Sequence, residues 1–339
     1  MHQLVKVALS LVPVVLFLLA LFALDSFKLV RPSSVGRAIA AGAVAAFACF
    51  ALAWWLIRAG FVGVPAYSRF LAPLVEETAK VLFVAYLVRT RRVGFMVDAA
   101  ILGFATGAGF ALVENLYYLW TLSEPNLLLW GIRGFGTAVL HGSTTAIAGI
   151  VSKLLGDVRP NGGPGIFLPG LAIAALAHGL FNLSQLYLSP IVFTAVLVAA
   201  FPPLVFEVFS RSERMLRGWL DVGFGSDVEL LDMLRSGEVR DTRVGQYLRS
   251  LRDRFPGEVI ADMLCYLEIM VELSIKAKGR LLMKEAGFPP PPDPVIPARL
   301  EELAFLEKSI GVTGKLAISP FVSRTSRDLW QLEMLKERA

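Results

Sequence analysis

Glu76, Glu77, Lys80, Glu114, His141 and His178 all fall inside long apolar runs of the chain. An ionisable group in a membrane span costs a few kcal/mol and persists when it is paired, hydrated or functional. The segment Pro73-Leu-Val-Glu76-Glu77-Thr-Ala-Lys80 sets two adjacent carboxylates ahead of a lysine. Glu76 is i,i+4 and Glu77 i,i+3 to Lys80, so either can meet it on a helix surface. The lysine offsets one negative charge and leaves the other carboxylate able to exchange a proton, as a general base must. The plainer reading is a salt bridge near the end of a span.

Three further runs carry polar groups. Gly103-Phe-Ala-Thr-Gly107 is a small-xxx-small face that lets a neighbouring helix approach closely. Glu114 lies two turns beyond Gly107, with Asn115 beside it and Tyr118 one turn on, where its hydroxyl can bond Glu114. His141 opens His141-Gly-Ser-Thr-Thr145, and His178 and Asn182 share a face at i,i+4. Asn182 can orient the imidazole or donate to a developing oxyanion. A single buried histidine is often a hydrogen-bonded core residue. Here two of the three histidines lie mid-span beside two acidic spans.

The elements that must position these groups are transmembrane helices. The chain has 339 residues, is 55% hydrophobic and only 18% charged, against about 25% in soluble proteins. Its mean hydropathy is +0.63. Charges are sparse up to about residue 210 and dense after it. The expected fold is an all-α polytopic bundle over 1–209 followed by a soluble helical domain over 210–339. Seven runs are long enough to cross a bilayer, roughly 4–24, 36–57, 69–88, 96–120, 130–154, 166–188 and 190–209. The last two are expected to form a tight hairpin at Ser189–Pro190. The first has no convincing cleavage site and reads as a span, although a cleaved or interfacial segment would leave the other orientations unchanged.

Lysines and arginines favour the cytoplasmic side. Lys28, Arg31, Arg37, Arg89, Arg91, Arg92, Lys153, Arg159, Arg211, Arg214 and Arg217 fall on one side, and Lys6, Arg58, Arg69 and Arg133 on the other. The N-terminus is then outside and the tail inside, in a multi-pass protein of the cell membrane. The net charge of +5 belongs to these loops and does not point to nucleic acid. Cys49 and Cys265 lie on opposite sides of the composition boundary and imply no disulfide framework. In the tail, Ser226-Asp-Val-Glu229 has the pattern of a capping box. Residues 257–286 predict an amphipathic helix presenting Ile260, Leu264, Leu267, Val271 and Leu281, ended by Gly287. Further amphipathic stretches follow near 298–310 and 326–338, and the tail reads as a regulatory or interaction module.

With that orientation Glu77, Glu114, His141 and His178 lie about seven to eleven residues in from the outer ends of four successive spans, roughly 10–17 Å deep. Four polar groups in one layer imply one site. Two carboxylates and two imidazoles can activate water, with a glutamate taking the proton and a histidine or amide stabilising the oxyanion. Glu77, Glu114, His141 and His178 are equally able to hold Zn²⁺, and a metal-free glutamate mechanism is as consistent with the residues. HExxH is absent, and His141-Gly-Ser143 brings no triad logic with it. A proton-coupled transporter is the rival reading of the same buried Glu/His cluster, although no inverted repeat is visible.

The set Glu76-Glu77-x-x-Lys80, Phe110-x-x-x-Glu114-Asn115-x-x-Tyr118, His141 and His178-x-x-x-Asn182 resembles the PrsW family of intramembrane proteases, over about residues 65–190. That family looks like a relative of the CAAX prenyl protease and bacteriocin-processing superfamily. The resemblance implies cleavage of a membrane-anchored protein near the outer membrane face; in some bacterial members the substrate is an anti-sigma factor. It implies Glu76 and Glu77 as leading catalytic residues, with Glu114, His141 and His178 completing the motif and Lys80, Asn115, Tyr118 and Asn182 in support. Members are often called metalloproteases, while the wider superfamily includes a metal-free glutamate mechanism. The soluble residues at the C-terminus depart from the family's compact pattern.

Overall fold

A computed structural model of the chain describes residues 2–25, 27–123, 125–159, 162–187, 189–236, 242–321 and 326–336. Every regular element among them is helical. They gather into two compact units, Met1–Ser212 and Glu213–Ala339. The first holds α1 (His2–Ala23), α2 (Pro32–Arg58), α3 (Ala72–Arg89), α4 (Met96–Thr121), α5 (Ala138–Val158), α6 (Leu168–Tyr187) and the start of α7 (Pro190–Arg235). Two π-helical segments, Tyr67–Leu71 and Ile132–Thr137, run directly into α3 and α5.

Six helices are long and apolar enough to cross a membrane: Gln3–Ala23, Pro32–Arg58, Met96–Thr121, Leu127–Val158, Pro164–Ser184 and Pro190–Arg235. The sequence led us to expect seven spans. The one that falls short is α3, whose 18 residues carry Glu76, Glu77, Lys80 and Arg89. Its polar groups are accommodated by protein, since α3 packs on α2, α4, α5 and α6. The hairpin expected between the last two spans includes Leu188, which lies outside the described residues.

The axis of this unit is α4. Asp98 reaches back to the Gly94 and Phe95 backbone N–H groups, at 2.8 and 3.1 Å, and so caps its first turn. From Met96 to Ala111 every residue is buried, which is why its sequence is small and apolar on all sides. Backbones come unusually close along it. A Cβ placed on Gly42 or Gly109 would strike the facing backbone between α2 and α4, and one on Gly107 would strike the His141 carbonyl on α5. The small-xxx-small face is thus the seam against α5, the helix that carries His141. Large apolar side chains such as Leu16, Phe47, Leu176 and Val196 point outward, as lipid-facing side chains do.

In the second unit, α8 (Arg243–Ser250), α9 (Gly257–Glu285), α10 (Val295–Ala317) and α11 (Ser326–Lys336) follow the end of α7. The expected face of α9 is present, with Leu267, Val271 and Leu281 buried. Ile260 and Leu264 are only partly covered. Gly287 leaves the helix at φ +81°, a left-handed conformation that glycine adopts without strain. The capping box expected at Ser226 does not form. The Ser226 hydroxyl donates back to the Val222 carbonyl at 3.0 Å, and α7 continues unbroken to Arg235. A buried polar knot ties this unit, in which Asp227 accepts from Lys278 at 2.7 Å and from Ser274 at 2.5 Å.

The seam predicts a graded response. Gly107→Val should destabilise the protein in detergent by roughly 1–3 kcal/mol or more, because the added carbons meet backbone that cannot yield. Gly36→Ala, on α2 with open space around it, should be neutral or mildly stabilising. Thermal unfolding curves of both variants check the contrast.

Candidate active site

Four helices bring the ionisable groups together. Glu77 on α3 is fully buried. Its Oε1 accepts from the Lys80 ammonium at 2.6 Å and from His178 Nδ1, on α6, at 2.9 Å. The Thr144 hydroxyl, on α5, lies 3.2 Å from both of its oxygens. Lys80, fully buried as well, also sits 3.0 Å from His141 Nδ1, and Phe110 presents its ring 5.0 Å away. His141 Nε2 lies 3.0 Å from Glu114 Oε2. The two imidazoles meet edge-on with ring centres 4.8 Å apart.

The tautomers follow from these partners. An ammonium only donates, so His141 Nδ1 accepts and the ring proton sits at Nε2, facing Glu114. A carboxylate only accepts, so His178 carries its proton at Nδ1, and its Nε2 lone pair faces Glu76 Oε2 at 3.9 Å. The adjacent glutamates therefore occupy different places. Glu77 is enclosed by cation and hydrogen-bond donors. Glu76, with 13% of its side chain exposed, has no lysine or arginine at ion-pair distance among the described residues.

The residues expected in support divide differently. Lys80 pairs with Glu77 through the i,i+3 spacing. Asn115 turns away from the cluster, its amide donating to the Ser10 carbonyl on α1 at 2.9 Å. Asn182 donates to the Ser68 carbonyl in the first π-helical segment, also at 2.9 Å, and so ties α6 to the entry of α3 instead of orienting His178. Tyr118 offers its ring face to Arg133, whose guanidinium carbon lies 3.7 Å from the ring centre. Arg133 in turn lies 3.5 Å from Glu114 Oε1.

Thr144 and Arg133 were not singled out by type and spacing. Thr144 stands one helical turn from His141, and that interval is the signal that could have found it. In the sequence Arg133 reads as a loop charge. No pattern in the chain announces the π-helical turn that carries it, and such turns recur at functional sites.

Residues 31–208 match the family described as PrsW family intramembrane metalloprotease. The chain belongs to that family. Neither a curated protein nor a solved structure matches it. Membership makes the protein an intramembrane protease, a peptide hydrolase working on protein substrate within a lipid environment. The matched stretch takes in α2 through α6, and so every residue of the cluster.

The family name raises the question of a metal, and the donor set fits one. Glu76, His141 and His178 each offer a ligand atom, all within 4.8 Å of one another. Two imidazoles and one carboxylate form a donor set used by catalytic zinc sites. The sequence points to Glu77 and Glu114 beside the two histidines in that set. The close trio has Glu76 instead, with Glu77 bonded behind His178, in the way a carboxylate fixes a metal-binding imidazole. Charge favours a cation as well. Among the described residues, Lys80 pairs with Glu77 and Arg133 with Glu114, while Glu76 has no lysine or arginine at ion-pair distance and so leaves room for a cation beside it.

Removing the central cation should be costly. Lys80→Met leaves the Glu77 carboxylate buried without its ion pair, a loss of about 3–5 kcal/mol. Glu77→Gln in the same background should recover part of it. A double-mutant cycle read by thermal unfolding checks the coupling; strictly additive effects would show that the two side chains do not pair.

Proposed function

We propose that this protease hydrolyses a peptide bond of a membrane-anchored protein at the Glu76, His141 and His178 cluster, near the outer membrane face. The observation that carries this reading is the meeting of side chains from α3, α4, α5 and α6 in one network, with no lysine or arginine at ion-pair distance from Glu76 among the described residues. Glu76 takes a proton from the attacking water and returns it to the leaving amine. Glu77 holds the proton on His178 Nδ1, which keeps Nε2 directed at Glu76. Lys80 balances Glu77 and positions His141.

Glu76, His141 and His178 would also hold a divalent cation, with Zn²⁺ the natural candidate for this donor set. Bound there, it would supply Lewis acidity toward the scissile carbonyl and the water. Which ring nitrogen of His141 would be bare for it is governed by Lys80 at Nδ1 and Glu114 at Nε2, both at 3.0 Å. With Glu76 serving as a ligand, Glu114 would be the carboxylate left to move protons for the reaction.

With α3 counted as a seventh crossing within the bundle, the excess of lysine and arginine on one set of loops supports an N-terminus outside and a cytoplasmic C-terminal unit acting in regulation or interaction. The proposed substrate is a single-span anti-sigma factor or a similar signalling protein, a class carried over from the PrsW resemblance.

Reconstitution with a single-span substrate tests this. Wild type should cleave, and Glu76→Gln, Glu77→Gln and His178→Ala should each lower the rate by about 10²-fold or more. His178→Ala should also lose bound zinc by elemental analysis, while a chelator should silence wild type. Proton flux across the vesicle with the substrate left intact would overturn the reading in favour of a transporter.

A further inference from the structure

Among the described residues, Arg133 is a cation beside the site whose hydrogen-bonding capacity the fold leaves unspent. It stands on the second π-helical segment, with its guanidinium plane held against the Tyr118 ring and its Nη2 3.5 Å from Glu114 Oε1. That spacing makes an ion pair but falls outside hydrogen-bond distance. Nε and Nη2 are both buried without a hydrogen-bond partner. A guanidinium cannot shed its charge, and each unsatisfied buried donor costs roughly 1–3 kcal/mol, more when charged. These two nitrogens share one edge of the guanidinium. The empty donors therefore form a two-pronged fork shaped for a single anionic oxygen or a carboxylate.

The fork adjoins the Glu76, His141 and His178 cluster through Glu114. Glu114, beside it, is bonded through Oε2 to His141, which touches the His178 ring and Lys80. Asn182, the other candidate for an oxyanion donor, has its amide committed to Ser68. We propose that Arg133 is a catalytic residue of this protease, its Nε–H and Nη2–H binding the scissile carbonyl oxygen as it becomes an oxyanion. When the water oxygen bonds to the carbonyl carbon, the C=O π pair moves onto that oxygen and is held by the fork. The pair returns as the carbon–nitrogen bond breaks, and the leaving amine takes up the proton removed from water. The donors are fixed before reaction, because the Tyr118 face and the Glu114 charge hold the guanidinium plane, so little reorganisation is needed as charge develops.

This assignment rests on the protease reading. The test uses the full chain in vesicles with a single-span substrate, comparing wild type, Arg133→Lys and Arg133→Ala. The expected result is a fall in kcat of about 10²–10³-fold with KM within a few-fold of wild type. Arg133→Lys should stay at least about 10-fold impaired, since it keeps the charge but loses the fork. Added guanidinium should restore part of the Arg133→Ala rate at concentrations that leave wild type unchanged, with the unfolding temperatures of all three matched. Equal kcat in the variants, a loss confined to KM, full recovery by lysine, or a loss that guanidinium leaves untouched would each overturn the role of Arg133 while wild-type cleavage stands. A wild type that cleaves nothing would instead overturn the hydrolytic reading, and this one with it.

Discussion

A carboxylate with no exposure at all, inside a bundle meant for lipid, sets the terms for everything around it. Glu77 is tolerable there only because a lysine one turn away matches its charge and two hydrogen-bonding groups reach it from α5 and α6. Those demands fix three helices against one another at a single point. They also decide matters beyond Glu77 itself. The proton on His178 is directed inward, so its other nitrogen faces Glu76, and Lys80 is brought against His141. The chemical individuality of two neighbouring glutamates follows from one being satisfied by the fold and the other left available.

Such contacts need helices closer than ordinary side chains allow. Gly107 supplies the space, letting the α5 backbone lie against α4 at His141 itself. Gly42 and Gly109 do the same between α2 and α4. The result is a rigid floor of small residues with long polar side chains rising from it. Rigidity at the backbone is what lets weakly solvated charges hold their geometry, since a buried ion pair gains from its partner only while the partner stays in place.

The apolar runs, the gathering of glutamates and histidines from successive runs, and the glycine seam are legible in the sequence, because each depends on position along the chain. What stayed hidden depends on rotation about a helix axis. Glu76 and Glu77 differ by about 100° around α3, and only the packing of α5 and α6 says which of them turns inward. Asn115 sits beside Glu114 in the chain yet turns to α1, and Asn182 shares a face with His178 yet is claimed by a backbone carbonyl. The same limit explains α3. Its polar residues read as residents of a span, although what makes them tolerable is the protein that surrounds them on four sides.

The two π-helical segments carry a consequence for how such a site can change. Each is a place where the helix holds one residue beyond what an α-turn would need, immediately before the stretch bearing Glu76 or His141. Loss of that single residue would restore α-helical winding and swivel the chain that precedes it, while leaving the packed stretch beyond largely as it is. Each segment is nonetheless tied to the cluster's surroundings, the first through Ser68 and Asn182 and the second through Arg133 and Glu114. A small insertion or deletion in the second segment would also move Arg133, which stands on it.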